Sequence, residues 1–427
     1  MVPGSSHFGT VLQPEHRRGR KQKGAGELMS VGQDGGPATG SSLLNDPRMR
    51  GTVAQAFIAL LLVAVLYFIF RNTAANLAKL NIGFGFDFLT QSSGFDISQR
   101  LIPYSSSSSY QRAILVGFYN TLLIAIIGIM LATVIGFVAG IMRLSKNWLV
   151  AKIATVYIET IRNVPLLLQL FMWYGLVLKP LPGPKQAINL FDSFFLSNRG
   201  LMSPYPIWGD GAWLVGVFLL AAIIAAIAIR IWAVRRQEAT GQQFPHLLTG
   251  LALVIAAPFA GLVVAGLVYG SWPLTFDYPA LTGFNFKGGF TVYPEFMALL
   301  VALSIYTGAF IAEIVRAGIL AVSHGQTEAA GALGLRGTPT LRLVIVPQAL
   351  RVIIPPLASQ MLNLTKNSSL GVAIGYPDLV AMGGTVNNQS GRAIEIVLIW
   401  MVVYLTLSLV TAGVMNWYNA RKKLVER

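Results

Sequence analysis

The chain has 427 residues, of which 54% are hydrophobic and 11% charged, with a formal net charge of +15. An ordinary soluble domain carries about 25% charged residues, so this chain lacks the polar surface to cover a water-borne core, and its mean hydropathy of +0.61 points to lipid as the solvent. The positive charge does not indicate nucleic acid, because Lys and Arg gather at the ends of apolar runs, where they anchor helices, and no presenting domain is evident; the absence of cysteine excludes disulfides, Cys-ligated zinc and thiol catalysis, and the four histidines form no metal-binding spacing.

In chain order, residues 1–50 are polar and rich in Gly, Ser, Arg and Lys. They lack the apolar stretch of a signal peptide and read as a disordered cytoplasmic tail, with Met29 a second plausible start. Eight apolar spans follow, near 52–70, 113–141, 164–182, 212–234, 247–270, 295–318, 343–365 and 394–417. Each is long enough to cross ~30 Å of hydrocarbon. Pro347, Pro355 and Pro356 interrupt the seventh, and Pro165 sits at the start of the third. With the N-terminus inside, the inner segments carry about twice as many Lys and Arg as the outer ones, which places both termini in the cytoplasm. Three outer connections are long: 72–112, 183–211 and 271–293. They read as spacers or as a docking surface for a soluble partner, and Ser105–Ser109 reads as a flexible linker. Trp208, Trp213 and Trp272 stand near span ends, as in an interfacial aromatic belt. The domain plan is therefore a tail (1–50), a first span with its outer loop (51–112), a main transmembrane domain (113–420) and a basic cytoplasmic tail (421–427).

The most informative stretch runs from Gly318 to Pro347, GILAVSHGQTEAAGALGLRGTPTLRLVIVP, with a cytoplasmic loop over 319–342. Gln326 to Leu333 favours helix. Gly334 suits the left-handed residue that ends a helix, and Thr338-Pro339 reads as the N-cap and first residue of the next helix. A helix this short is unstable alone and needs a partner surface, either its own bundle or a groove on another protein.

This stretch resembles the EAA motif of permease subunits in binding-protein-dependent ABC importers: Glu328-Ala329-Ala330, then Gly334, then Val344, Val346 and Pro347. Valine at the last two aliphatic positions departs mildly from the family's usual Ile and Leu. The segments Asn120–Ser145, Tyr157–Gly175, Tyr306–Ile319 and Lys366–Leu379 are similar to the polar amino-acid branch of that family, and the eight spans, long outer inserts and WYNARKKLVER ending resemble its general L-amino-acid permeases. The resemblance implies an all-α type I ABC importer permease bundle in a bacterial inner membrane. Its motif helix (Glu328, Ala329, Ala330, Gly334 and Pro347) would dock into an ABC ATPase dimer. The implied partners are that ATPase, a second permease subunit, a periplasmic amino-acid-binding protein and the lipid bilayer, with an L-amino acid as cargo. ATP and magnesium would stay on the ATPase, because this chain has no phosphate-binding G-x-x-x-x-G-K-[ST] loop.

Charges inside an apolar bundle require an explanation. Glu159 and Arg162, and likewise Glu313 and Arg316, are spaced to pair on one helix face near the inner boundary, either as anchors or as a gate. Asn120, Gln169, Asn363, Lys366 and Asn367 are candidates to line the path, since an amino acid needs donors and acceptors among apolar walls. Lys366 would meet a carboxylate or snorkel to the outer interface. An ion-coupled secondary transporter is the alternative function, although the sequence shows no inverted repeat and its acids lie near the boundary.

Overall fold

The computed structural model describes residues 47–79 and 85–422; the expectations for residues 1–46, including Met29, and for the last residues, 423–427, lie outside it. Contacts divide the chain into two units, 1–81 and 82–427. The first contains one long helix, α1 (Pro47–Lys79), so helix begins within the stretch read as a tail.

The second unit opens on a loop that the serine run was expected to leave flexible. It is instead hydrogen-bonded: Ser93 and Gly94 donate from their backbone to Ser108 and Ser106, and Ser109 caps α2 (Tyr110–Arg143) by accepting from the Arg112 amide. Serine hydroxyls bond to nearby backbone as readily as they bond to water, which turns a compositionally bland run into a specific turn and cap.

The third predicted span, 164–182, covers only the second arm of a bent helix pair, whose first arm precedes it in the chain. α3 (Trp148–Asn163) and a second helical segment meet at a bend of 105°. That segment comprises α4 (Leu166–Phe171) and a π-helical stretch, Met172–Leu178. The break falls at Val164-Pro165, where Val164 is extended; proline excludes helical geometry from the residue before it. Gln169 bridges the bend, donating to the carbonyls of Ile161 and Val164 at 2.8 and 2.9 Å. Among the described residues seven helices are long and apolar enough to span a membrane, and the bent pair makes eight.

The two outer inserts are not independent loops. β1 (Ile188–Leu190), β2 (Phe194–Ser197) and β3 (Gly200–Ser203) continue antiparallel into β8 (Phe290–Val292) from the second insert. β4 (Tyr205–Trp208) pairs with β5 (Leu274–Asp277), and β6 (Ala280–Thr282) with β7 (Asn285–Lys287). Between them rises a helical hairpin, α5 (Trp213–Thr240) and α6 (His246–Tyr269), closed at its base by the β4–β5 ladder. Trp213 donates to Tyr269 at 3.3 Å at that base, in keeping with an interfacial position.

The core forms where α2 packs on α7 (Pro294–Leu320). Small residues on α2 let the backbones close: Gly136 faces Ile311, and a Cβ at Gly140 would stand 2.6 Å from the Ala312 carbonyl oxygen. Ile124, Ala132, Leu303, Val315, Ile353 and Leu364 fill the same buried cluster. The remaining elements are α8 (His324–Ala332), α9 (Gly337–Thr340), α10 (Val346–Asn367), α11 (Leu379–Ser390) and α12 (Ala393–Lys422). A π-helical turn at Leu341–Ile345 joins α9 to α10. Pro347 follows it, and its missing N–H removes one regular helical bond there. Pro355 and Pro356 lie inside α10. α12 continues through Lys422, so Arg421 and Lys422 extend the last helix.

Candidate functional site

The short helix expected between two spans exists as α8, starting at His324 rather than Gln326. Gly334 takes the left-handed conformation, φ +74°. The Gly334 amide donates to the Gly331 carbonyl at 2.9 Å and the Leu335 amide to Ala330 at 3.0 Å, the paired bonds of a Schellman termination. The following helix has Arg336 as its N-cap, so Thr338 and Pro339 fall inside its first turn. The expected cap sits two residues early because the extended residue that opens the turn is Arg336 itself, with φ −73° and ψ 165°.

One side of α8 is held by its own chain. Ala330 is buried, and Gln326 accepts from Gln348 of α10 at 3.0 Å. The other side is open. Glu328 retains 71% side-chain exposure, with His324 one turn back at 3.0 Å, and Leu333 is 81% exposed. Ala329 is also exposed. The helix thus presents small residues, a carboxylate and a bare leucine outward while remaining anchored to the bundle.

Immediately before α8, the end of α7 carries a charge cluster. Glu313 pairs with Arg316 at 2.6 Å, as its spacing predicts. Glu159 does not pair with Arg162. Its partner is Arg143, at 2.9 Å, which also reaches Glu313 at 2.6 Å. Arg162 instead lies over the Phe310 ring, 5.1 Å from its centroid. A one-helix spacing rule cannot see a residue on another helix, and Arg143 at the end of α2 is closer to Glu159 than the i+3 neighbour is. Both Glu313 oxygens accept from guanidinium groups, so in this conformation the carboxylate is engaged and not open to an ammonium. Arg143 is the member that sequence reasoning used only to orient the chain; its place at the end of a long apolar run is the signal that marks it.

The proposed path residues divide. Asn120 is fully buried and donates to the carbonyls of Gln99 and Pro377, both at 2.9 Å, tying the loop before α2 to the turn before α11. Gln169 is buried and holds the bend in the third span. Asn363 and Lys366 are exposed and Asn367 half-buried. Lys366 lines a 520 Å³ groove with Ser369, Trp400, Tyr404 and Ser408, which places a positive group among apolar walls. Beside it, Asp378 caps α11 by accepting from the Ala381 amide. Burial raises its carboxyl pKa to about 7. No local pattern of residues signals this, because burial comes from the packing of separate elements.

Comparison with known proteins agrees with the multi-span helical architecture. The family described as "Binding-protein-dependent transport system inner membrane component" matches residues 284–424. The chain is 54% identical over 386 residues to the general L-amino acid transport system permease protein AapQ of Rhizobium johnstonii, covering 90% of this chain and 95% of that protein. It is 48% identical to the putative amino-acid ABC transporter permease protein YhdX of Escherichia coli, covering 91% and 98%. It is 44% identical to the glutamate/glutamine/aspartate/asparagine transport system permease protein BztB of Rhodobacter capsulatus, covering 91% and 97%. With likeness at this level running through nearly the whole of each relative, and with the motif helix standing out from a multi-span bundle, the chain belongs to the inner-membrane permease family of amino-acid ABC transport systems.

Proposed function

We propose that this chain forms one half of the translocation path for L-amino acids, paired with a second permease subunit. A periplasmic binding protein delivers the substrate, and an ABC ATPase dimer binds ATP and magnesium. Both termini face the cytoplasm in this reading, which the excess of Lys and Arg on that side supports. α8 is the contact with the motor: Glu328, Ala329 and Leu333 face outward, Ala330 is buried, the Gln326–Gln348 bond ties the helix to α10, and Gly334 sets its end. Closure of the ATPase moves α8, and the movement passes to α7 and α10, which flank it in the chain. The cluster of Arg143, Glu159, Glu313 and Arg316 stands at that end of the bundle, where its ion pairs change as the helices separate. Lys366, on the 520 Å³ groove, faces the substrate carboxylate, with Asn363 and Asn367 on the same stretch of α10. Asn120 and Gln169 support the path by holding the turn before α11 and the bend in the third span.

The observation that carries this reading is the outward face of α8, 71% exposed at Glu328 and 81% at Leu333, on a helix too short to be stable without packing. Reconstitution into liposomes with and without the ATPase tests it. Uptake is expected only with the ATPase, the binding protein and ATP together. Uptake driven by an ion gradient without the ATPase would instead establish a secondary transporter.

A further inference from the structure

The α5–α6 hairpin carries a feature the transport cycle does not use. Near its 241–245 turn, a 320 Å³ groove opens between the two helices, within the ~300–1,000 Å³ range of small-ligand sites. Ile223, Ile227, Leu247 and Leu251 form apolar walls, and Arg230 and His246 also line it. At about 1.5 Å per residue, Arg230 stands ~25 Å along α5 from Trp213, close to the far edge of a hydrocarbon layer of ~30 Å. No carboxylate among the described residues lies within ion-pair distance of Arg230. His246 holds Nδ1 3.1 Å from the Phe244 carbonyl; because a carbonyl only accepts, that contact directs the Nδ1 proton and leaves Nε2 as the other bonding position. Arg235 and Arg236 add charge on the next turn, with Arg236 engaged by Gln242 at 2.8 Å and stacked over Trp232.

We infer that this groove binds an anionic phospholipid, with an acyl chain along the apolar walls and the phosphate at Arg230 and His246. An intramembrane arginine requires a counter-charge at its own depth, and a lipid phosphate supplies one at the hydrocarbon edge. A protein helix laid in the same groove would have to bring a carboxylate into hydrocarbon. A soluble anion would leave the apolar walls unused.

Native mass spectrometry of the detergent-purified full-length chain tests the inference, with dioleoyl phosphatidylglycerol, dioleoyl phosphatidylcholine and inorganic phosphate as probes. Phosphatidylglycerol is expected to be retained at least fivefold over phosphatidylcholine, without competition from excess phosphate. The double variant Arg230→Gln/His246→Gln should bring the two lipids within twofold, while Arg230→Lys, which keeps the charge, should preserve the preference. A photo-crosslinker at Leu251 should label lipid in membranes. Equal retention of both lipids, displacement by phosphate alone, an unchanged preference in the double variant, loss of preference in the lysine variant, or crosslinking to a second polypeptide would each overturn it. None of these readouts depends on ATP-driven uptake.

Discussion

Arg143, the last residue of α2, places one guanidinium nitrogen 2.6 Å from Glu313 of α7 and another 2.9 Å from Glu159 of α3. One side chain thereby joins three helices at the end of the bundle that carries the motif helix. The side chains are partly open, with 20% exposure at Arg143 and 26% at Glu313, so water screens the pair and its contribution to stability is modest. Its larger consequence is positional, since separating α2 from α7 must break it.

Removing that link should change the balance of conformations more than the fold. Arg143→Gln and Glu313→Gln are each expected to lower transport severalfold while the chain still inserts. A double-mutant cycle on thermal stability should return a coupling of about 1 kcal/mol. Arg162→Gln, which removes a contact to the Phe310 ring but no carboxylate, should have the smaller effect. Additive single-variant effects for Arg143 and Glu313 would show that the contact is not energetically coupled.

The outward face of α8 leads to a separate expectation. Glu328→Lys and Leu333→Asp should weaken association with the ATPase at least tenfold, about 1.4 kcal/mol, and abolish uptake with normal membrane insertion. Gly334→Val should also fail, because φ +74° strains a β-branched residue. Co-purification of the ATPase on tagged variants reads this directly. Undiminished recovery with Leu333→Asp would remove α8 from the interface.

Packing of α2 on α7 should be intolerant of bulk at its glycines. A Cβ at Gly140 meets the backbone oxygen of Ala312 and the Val315 side chain at 2.6 and 2.9 Å, and a carbonyl cannot rotate away. Gly140→Ala is expected to destabilise the chain by about 1–3 kcal/mol, and Gly140→Val by more. Gly384, with no atom within 4 Å of an added Cβ, is the control: Gly384→Ala should be near neutral. Thermal unfolding of detergent-purified variants measures the difference.

Asp378 predicts a pH dependence. It lies in the connection between α10 and α12, outside the predicted spans, and burial raises its pKa to about 7 from an ordinary value of about 3.9. The folded state therefore binds the proton more tightly than the unfolded state. The stability this confers is complete below about pH 4 and is lost as pH rises towards 7. The melting temperature should fall over that interval. Asp378→Asn, which keeps an N-cap oxygen for the Ala381 amide, should flatten the slope. An equal slope in wild type and variant would assign the effect to another group.

The amino-acid sequence alone determined the solvent, the span count and the motif helix. Lipid requires long uninterrupted apolar runs, so the spans are written in hydropathy, and a Glu-Ala-Ala turn ended by glycine is a local signal that needs no partner to be read. The i,i+3 pairing of Glu313 with Arg316 was legible for the same reason. Tertiary structure decided what depends on residues far apart in the chain. It gave Glu159 to Arg143 rather than Arg162, buried Asn120 between Gln99 and Pro377, paired β3 with β8 and β4 with β5 across the helical hairpin, and raised the pKa of Asp378. The physical reason is range. Helix propensity and hydropathy act over a few residues, whereas ion pairing between helices, strand pairing between inserts and desolvation depend on which surfaces the folded chain brings together.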